Sequence, residues 1–172
     1  CRPRDPMKYA LIVFDWEGTL IDSAAAIAGC IQEAARELGL PVPSREAASH
    51  VIGLGLADSL RHAVPPLAPD GYQQSVECYR KHFMGCEDSM QLFTGVPELL
   101  VELKQRGHQL AIATGKRRRG LDRALEACGM ASHFHATRCG DETHPKPHPA
   151  MLLELLDELA TEPQRALMIG DT

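Results

Sequence analysis

Short, nearly continuous apolar runs, each followed by polar residues or glycine, constrain the fold of this chain more than any other feature. They cover Tyr9 to Phe14, Gln109 to Ala113 and Ala166 to Ile169. Runs of this kind, without a regularly alternating polar face, are typical of strands buried on both faces, as in parallel sheets. Amphipathic segments separate the last two runs. The sequence therefore predicts strand–helix alternation and a parallel α/β sheet.

The remaining elements follow from the period of the apolar residues. Three amphipathic segments predict helices of the sheet layers, and a weaker run predicts one more strand. The region after the first strand predicts only helices, so we expect it to be an insertion into the α/β core. The predicted helices are 97–106, 118–128 and 149–159 in the core, with a weak strand over 133–137, and 23–38, 44–52, 56–63 and 70–87 in the insertion.

Composition excludes several classes of protein. The 172 residues are 44% hydrophobic and 24% charged, with a formal charge of −5, as in an ordinary globular protein. The basic run Lys116 to Arg119 is too short to indicate a nucleic-acid surface. No apolar run approaches the roughly 18 residues of a membrane span. Six cysteines without a C-x-x-C pair indicate reduced thiols with packing roles, and hence a cytoplasmic protein.

Four polar clusters lie at or near strand ends, where an open α/β sheet binds its ligands. Two acids directly after a buried strand indicate a cation or a substrate that satisfies them. A hydroxyl and exposed N–H groups ahead of a helix are suited to hold phosphate. Prolines stiffen the loop around a single lysine. The clusters are Asp15-Trp16-Glu17-Gly18-Thr19-Leu20, Thr114-Gly115-Lys116, Lys146 in HPKPHP, and Gly170-Asp171-Thr172.

Each cluster also has an ordinary structural interpretation. The first fits a β-turn with an Asx cap, the second a helix N-cap, the third a solvated lysine and the fourth a simple turn. Trp16 fits substrate contact and core packing equally well. Gly53 to Leu56 fits a substrate-contacting loop or a plain turn between helices, and Arg61 is better explained as a solvated helix residue.

Taken together and in this order, the clusters resemble the four motifs of the haloacid dehalogenase superfamily, which run D-x-D-G-T, then S or T, then K, then G-D or D-D. FDWEGTLIDS, AIATGK, HPKPHP and MIGDT are most similar to the branch that includes phosphoglycolate phosphatases. The resemblance implies a Rossmann-like core of 7–21 and 93–172 with a helical cap at 22–92. Residues 1–6 are then expected to be a tag or a disordered N-terminus.

The resemblance also implies a role for each matching residue in a Mg²⁺-dependent phosphatase acting on a small phosphomonoester, such as phosphoglycolate or a sugar phosphate. Asp15 is the nucleophile that forms an aspartyl-phosphate, and Glu17 is the general acid/base. Lys146 offsets the negative charge of Asp15 and phosphate. Phosphate contacts are implied for Trp16, Glu17, Thr114, Gly115 and Lys146, and Mg²⁺ ligation for Asp15, Asp171 and the carbonyl of Glu17.

Two departures from the motifs leave other functions open. Glu17 stands where the family usually has Asp, and the sequence stops at Thr172, before a further acid and the last strand and helix are expected. A phosphomutase of the same fold and a non-catalytic binding module are therefore alternatives. A haloacid dehalogenase is disfavoured because it needs no Asp171. A phosphonate hydrolase is disfavoured because 22–92 contains a single lysine, Lys81. The sequence leaves the oligomeric state open.

Overall fold

The computed structural model describes residues 8–50, 69–86 and 90–171, which form two compact units. Unit 1 comprises 8–21 and 92–171, and unit 2 comprises the described residues between 22 and 91. The predicted helix over 56–63, Gly53 to Leu56, Arg61 and the predicted tag at 1–6 lie outside the described residues. No helix in the described part of the chain is both long enough and apolar enough to cross a bilayer.

Unit 1 contains a four-stranded parallel sheet. Its strands are β1 (Leu11–Phe14), β4 (Gln109–Thr114), β5 (Ala136–Cys139) and β6 (Ala166–Ile169), in the order β5-β4-β1-β6. Its central strand β1 pairs with β4 on one side and with β6 on the other, and Phe14 lies beside Ile112 and Ile169. The predicted parallel α/β fold is thus confirmed.

The inner strands β1 and β4 are buried, as their apolar runs predicted. The same prediction is wrong for β6, where Met168 is 38% and Ile169 36% exposed. The four residues of β1 are at most 5% exposed, and one face packs on Met151 and Leu155 of the last helix. The helices are α4 (Val96–Arg106), α5 (Arg118–Cys128) and α6 (Ala150–Glu158). The first two end at Gly107 and Gly129, whose positive φ angles allow the left-handed turn that closes a helix.

One strand is displaced from its predicted position. The weak run at 133–137 predicted a strand there, but Ala131–His133 is a 3₁₀ turn and the strand is Ala136–Cys139. Only the two ends of this strand are buried, so its sequence lacks the continuous apolar signal of β1. Tertiary pairing with β4 fixes its position instead.

Unit 2 contains α1 (Ala24–Glu37), α2 (Arg45–His50) and α3 (Pro69–Cys86). Small residues of α1, among them Ala34 and Ala35, form a core with Cys78 and Tyr79 of α3. Ser23 precedes α1 as predicted, yet its buried hydroxyl makes no capping hydrogen bond. The two-residue strands β2 (Ile21–Asp22) and β3 (Gln91–Leu92) pair with each other and were not predicted.

Candidate active site

The carboxyl ends of the parallel strands of unit 1 carry the predicted polar clusters. Asp15 directly follows the central strand β1, and its backbone N–H donates to the carbonyl of Ile169 at 2.8 Å. Thr114 is the last residue of the neighbouring strand β4, and Asp171 follows β6 by two residues. Because parallel strands end at the same edge, the fold brings these residues to one edge of the sheet.

The Asp15 carboxylate makes two contacts through the same oxygen. Its Oδ1 lies 2.9 Å from the Lys146 ammonium and accepts the backbone N–H of Trp16 at 2.7 Å. The Asp15 side chain is 14% exposed and that of Lys146 is 36% exposed, so the pair is accessible without being fully solvated. A lysine 131 positions later in the chain is thus an electrostatic partner of Asp15.

Glu17 also has a lysine partner, but this one was not assigned a side-chain role from the sequence. The Lys116 ammonium lies 3.2 Å from Glu17 Oε1, and the Lys116 side chain is only 6% exposed. The backbone N–H of Lys116 in turn donates to Thr114 Oγ1 at 3.1 Å. Lys116 therefore links the acid after β1 to the hydroxyl at the end of β4. The only sequence signal for it was its place in the Thr114-Gly115-Lys116 cluster.

The turn from Asp15 to Ile21 is held by its own backbone. Gly18 donates to the carbonyl of Ile21 at 3.0 Å, and Leu20 and Ile21 both donate to the carbonyl of Trp16. The Trp16 indole is 1% exposed, which resolves its two interpretations in favour of core packing. If Trp16 contacts phosphate, it therefore does so through its backbone and not through the indole.

At this edge of the sheet, the lack of a side chain on Gly18 and on Gly140 lets other parts of the chain come very close to them. Gly18 has a φ of +75°, and a Cβ built on it would lie 2.2 Å from Asp171 Oδ2. A Cβ on Gly140 would lie 2.5 Å from the carbonyl oxygen of Gly115. The first approach places the Asp171 carboxylate directly against the turn that follows Asp15, and the second packs the end of β5 against the Thr114–Lys116 loop. Neither was anticipated from the sequence.

The loop after β5, which carries Lys146, begins with an ion-pair network. Arg118 contacts Glu142 through two nitrogens, at 2.7 and 2.9 Å, and also donates to Thr137 Oγ1. Glu142 further accepts the backbone N–H of Cys139 at 2.9 Å. The hydrogen bond from Arg118 is the main reason that the pKa of Glu142 lies below its ordinary value. His144 and His148, which flank Lys146, pack on each other with ring centroids 4.5 Å apart.

Comparison with known proteins agrees with this geometry. The model of the family of haloacid dehalogenase-like hydrolases matches residues 12–172. A probable phosphatase, IndB, of Dickeya dadantii is 33% identical over 169 residues, which cover 94% of this chain and 73% of that protein. The phosphoglycolate phosphatase of Aquifex aeolicus is 32% identical over 166 residues, with 94% and 76% covered.

A solved structure shares the fold. The crystal structure of a predicted phosphoglycolate phosphatase from Haemophilus somnus superposes with a TM-score of 0.85 at 28% identity, covering 95% of this chain and 77% of the other. The chain belongs to the haloacid dehalogenase-like hydrolase family. The predicted class of enzyme, a phosphoric monoester hydrolase of this type, is thereby confirmed.

Proposed function

We propose that the chain is a Mg²⁺-dependent phosphatase that hydrolyses a small phosphomonoester through an aspartyl-phosphate on Asp15. The observation that carries this proposal is the arrangement of the Asp15 carboxylate at the end of the central strand. Oδ1 is held by Lys146 and by the N–H of Trp16, which leaves Oδ2 as the attacking oxygen. A positioned carboxylate is a competent nucleophile in such chemistry.

In the proposed first step, Oδ2 of Asp15 forms a bond to phosphorus as the bond from phosphorus to the ester oxygen breaks. Glu17 gives its proton to the departing oxygen, so that an alcohol leaves. In the second step Glu17 takes a proton from water, which attacks phosphorus and releases inorganic phosphate and the Asp15 carboxylate. One residue serves as acid and then as base, as microscopic reversibility requires.

Positive charge and donors are available for the phosphate oxygens. The Lys146 ammonium already contacts Asp15 and offsets part of the charge that builds up when phosphate binds beside a carboxylate. The Thr114 hydroxyl, which is fully buried, and the backbone N–H of Gly115 are the proposed phosphate donors at the end of β4. These roles rest on the placement of the residues and on the family's motifs.

The donor set at this edge fits Mg²⁺. Asp15, Asp171 and the carbonyl of Glu17 offer hard oxygen ligands. The close approach of the Asp171 carboxylate to Gly18 brings it to the turn that contains Glu17. When bound there, Mg²⁺ would neutralise charge on the transferring phosphoryl group. Asp15 and Asp171 would hold it, and the Lys146 ammonium would remain a further source of positive charge beside Asp15.

The substrate class follows from the relatives. Phosphoglycolate phosphatases recur among them, so we propose phosphoglycolate or a similarly small phosphomonoester. We also propose that unit 2 is the helical cap expected at 22–92. A phosphomutase would use the same nucleophile, and only its product distinguishes it. We also propose a cytoplasmic location, as the dispersed cysteines predict.

The proposal is tested by phosphate release from p-nitrophenyl phosphate and from a panel of small phosphomonoesters, with Mg²⁺ and with a chelator. Turnover of at least one substrate is expected with Mg²⁺ and none with the chelator. A rearranged phosphate ester without net phosphate release would identify a mutase. Binding of phosphomonoesters without either product would contradict the catalytic proposal and support a binding module.

A further inference from the structure

A cluster of three metal-ligating side chains lies within unit 2, between helices α1 and α3. It comprises Glu37, Cys78 and His82, which we call the helix-pair cluster. One ligand atom of each residue lies within 4.8 Å of those of the other two. His82 Nε2 lies 2.8 Å from Glu37 Oε2. None of the three belongs to the sequence motifs or to the proposed active site.

The backbone holds these ligands in place. Cys78 and His82 are four residues apart on α3 and therefore lie on the same face of that helix. Cys78 is buried in the core that joins the two helices, with its Sγ 3.9 Å from the carbonyl of Ala34 on α1. Glu37 is the last residue of α1, where the helix dipole favours a cation. Packing of α1 on α3 thus brings Glu37 of α1 close to Cys78 and His82 of α3.

Charge at the cluster is consistent with a cation. The Lys81 ammonium now lies 3.0 and 3.3 Å from the two Glu37 oxygens. Since this lysine side chain is 68% exposed, it can leave Glu37 for water at little cost. Burial, and secondarily Glu37, raise the pKa of Cys78, so the thiol keeps its proton in the absence of a metal. A bound zinc ion reverses that preference, because it favours the thiolate.

We propose that the helix-pair cluster is a binding site for a thiophilic divalent cation, with Zn²⁺ as the ion that best matches its sulfur, nitrogen and oxygen donors. Zinc–ligand distances of about 2.0–2.3 Å set tetrahedral donors roughly 3.3–3.8 Å apart, so the His82 and Glu37 donors would separate slightly from 2.8 Å and any wider pair, up to 4.8 Å, would close. Binding releases the Cys78 proton to solvent and displaces Lys81 from Glu37. The fourth position faces solvent, since the Glu37 side chain is 44% exposed, and water fills it. The cation would clamp α1 to α3.

Co²⁺ tests this site directly, because a cobalt–thiolate bond has a charge-transfer absorption that oxygen ligands lack. The full chain is titrated with Co²⁺, and then with Zn²⁺ in competition, in excess Mg²⁺ to fill carboxylate sites in unit 1. We expect the thiolate band to appear with one equivalent of Co²⁺ and to be abolished by Zn²⁺. Cys78→Ser should remove the band. His82→Gln should weaken binding by about tenfold or more, as expected for a lost ligand.

Cys86→Ser, which removes another thiol of α3, is the matched control and should leave the titration unchanged. His82 is less buried than Cys78, with 27% of its side chain exposed, so His82→Gln keeps the test decisive if Cys78→Ser does not fold. Absence of the thiolate band in the parent chain would overturn the proposal, as would a band that survives Cys78→Ser or disappears in Cys86→Ser. None of these readouts depends on phosphatase activity.

Discussion

Glu17 is longer by one methylene than the aspartate usual at its position, which moves its carboxylate by about 1.5 Å. Lys116 compensates by holding that carboxylate at 3.2 Å with a nearly buried ammonium. The longer acid is thus anchored in a defined place instead of moving freely. This contact fixes the place of the acid at position 17, and it gives Lys116 a part in the site.

Glu17→Gln should lower kcat by about 10²-fold or more, because the amide cannot donate and accept a proton in turn. Glu17→Asp should keep or raise kcat, because the group is still an acid and has the length usual in the family. Glu17→Gln should melt below the parent, because it leaves the nearly buried Lys116 ammonium without the Glu17 carboxylate, and Glu17→Asp should melt closer to the parent. Steady-state kinetics and thermal melts check these values. Unchanged turnover in Glu17→Gln would remove Glu17 from the mechanism.

Lys116→Met should also lower kcat, because it frees the Glu17 carboxylate from its anchor. If Lys116 acts through Glu17, the loss in the double variant Lys116→Met with Glu17→Gln should be clearly smaller than the product of the two single losses. Arg117→Met, which changes an exposed neighbouring cation, should leave kcat unchanged. Multiplicative losses in the double variant would show that Lys116 acts independently of Glu17.

The sequence predicted the site residues that belong to a motif. It did not predict the contacts that arise only when distant parts of the chain pack together. The contact of Lys146 with Asp15 was expected, because both follow elements that end at the same sheet edge. The Glu17–Lys116 pair spans 99 positions and has no local signal. The approach of Asp171 to Gly18 likewise depends on the packing of β6 beside β1, which no local pattern encodes.

At the scale of elements, the turn after β1 depends on a glycine for two separate reasons. Gly18→Ala should cost about 1–2 kcal/mol of folding free energy, because an L-residue resists a φ of +75°. In addition, its Cβ would displace the Asp171 carboxylate and weaken Mg²⁺ binding. Gly129→Ala is the matched control: φ is +69°, but nothing lies within 4 Å of the added Cβ.

Melting temperatures and the Mg²⁺ dependence of phosphatase activity separate the two effects. Both variants should lose a similar amount of stability, but only Gly18→Ala should require more Mg²⁺ for half-maximal rate. Equal Mg²⁺ requirements in the two variants would show that Asp171 is not a ligand, or that its carboxylate relocates without consequence.

The start of α5 is tied to the loop that follows β5 by Arg118 and Glu142. The pKa of Glu142 is lowered mainly by its hydrogen bond to Arg118. A carboxyl with a lowered pKa in the folded state contributes stability that is complete above its ordinary value of 4.5, and that is lost as pH falls through the folded pKa. Because Glu142 is 35% exposed, we expect the contribution to be below about 1 kcal/mol.

Arg118→Gln should therefore lower the melting temperature near pH 7, and the difference from the parent should shrink as pH falls from about 5 to about 3. Arg119→Gln, which changes an exposed neighbour, should show neither effect. Thermal melts over this range measure both. A difference between parent and Arg118→Gln that is constant across the pH range would mean that Glu142 titrates without sensing Arg118.

Elements with strong periodicity were predicted almost to the residue, as for Arg118–Cys128 and Ala166–Ile169. The elements that were misplaced or missed are those whose position depends on partners distant in sequence. Ala136–Cys139 has two half-buried central residues and takes its register from β4. The two-residue strands β2 and β3 are too short to leave a pattern, and they exist because they pair with each other.

At the scale of the whole molecule, the proposed active site and the proposed zinc site lie in different units. All residues of the proposed active site lie in unit 1, at strand ends or on the loops that follow them along one edge of the sheet. The helix-pair cluster lies in unit 2 and uses a different set of donors. Mutations can therefore alter catalysis in unit 1 and cation binding in unit 2 separately. Mg²⁺ suits the oxygen donors of unit 1, and Zn²⁺ suits the mixed donors of unit 2.

The central claim, that Asp15 is phosphorylated during turnover, is tested most directly by mass spectrometry of acid-quenched enzyme. The chain is mixed with Mg²⁺ and its best phosphomonoester, quenched during turnover and digested. We predict a phosphate adduct on the peptide that contains Asp15. In Asp15→Asn, which keeps the size of the side chain, the adduct should be absent and turnover should fall by about 10⁴-fold or more. An adduct on another residue, or substantial turnover by purified Asp15→Asn, would contradict the account.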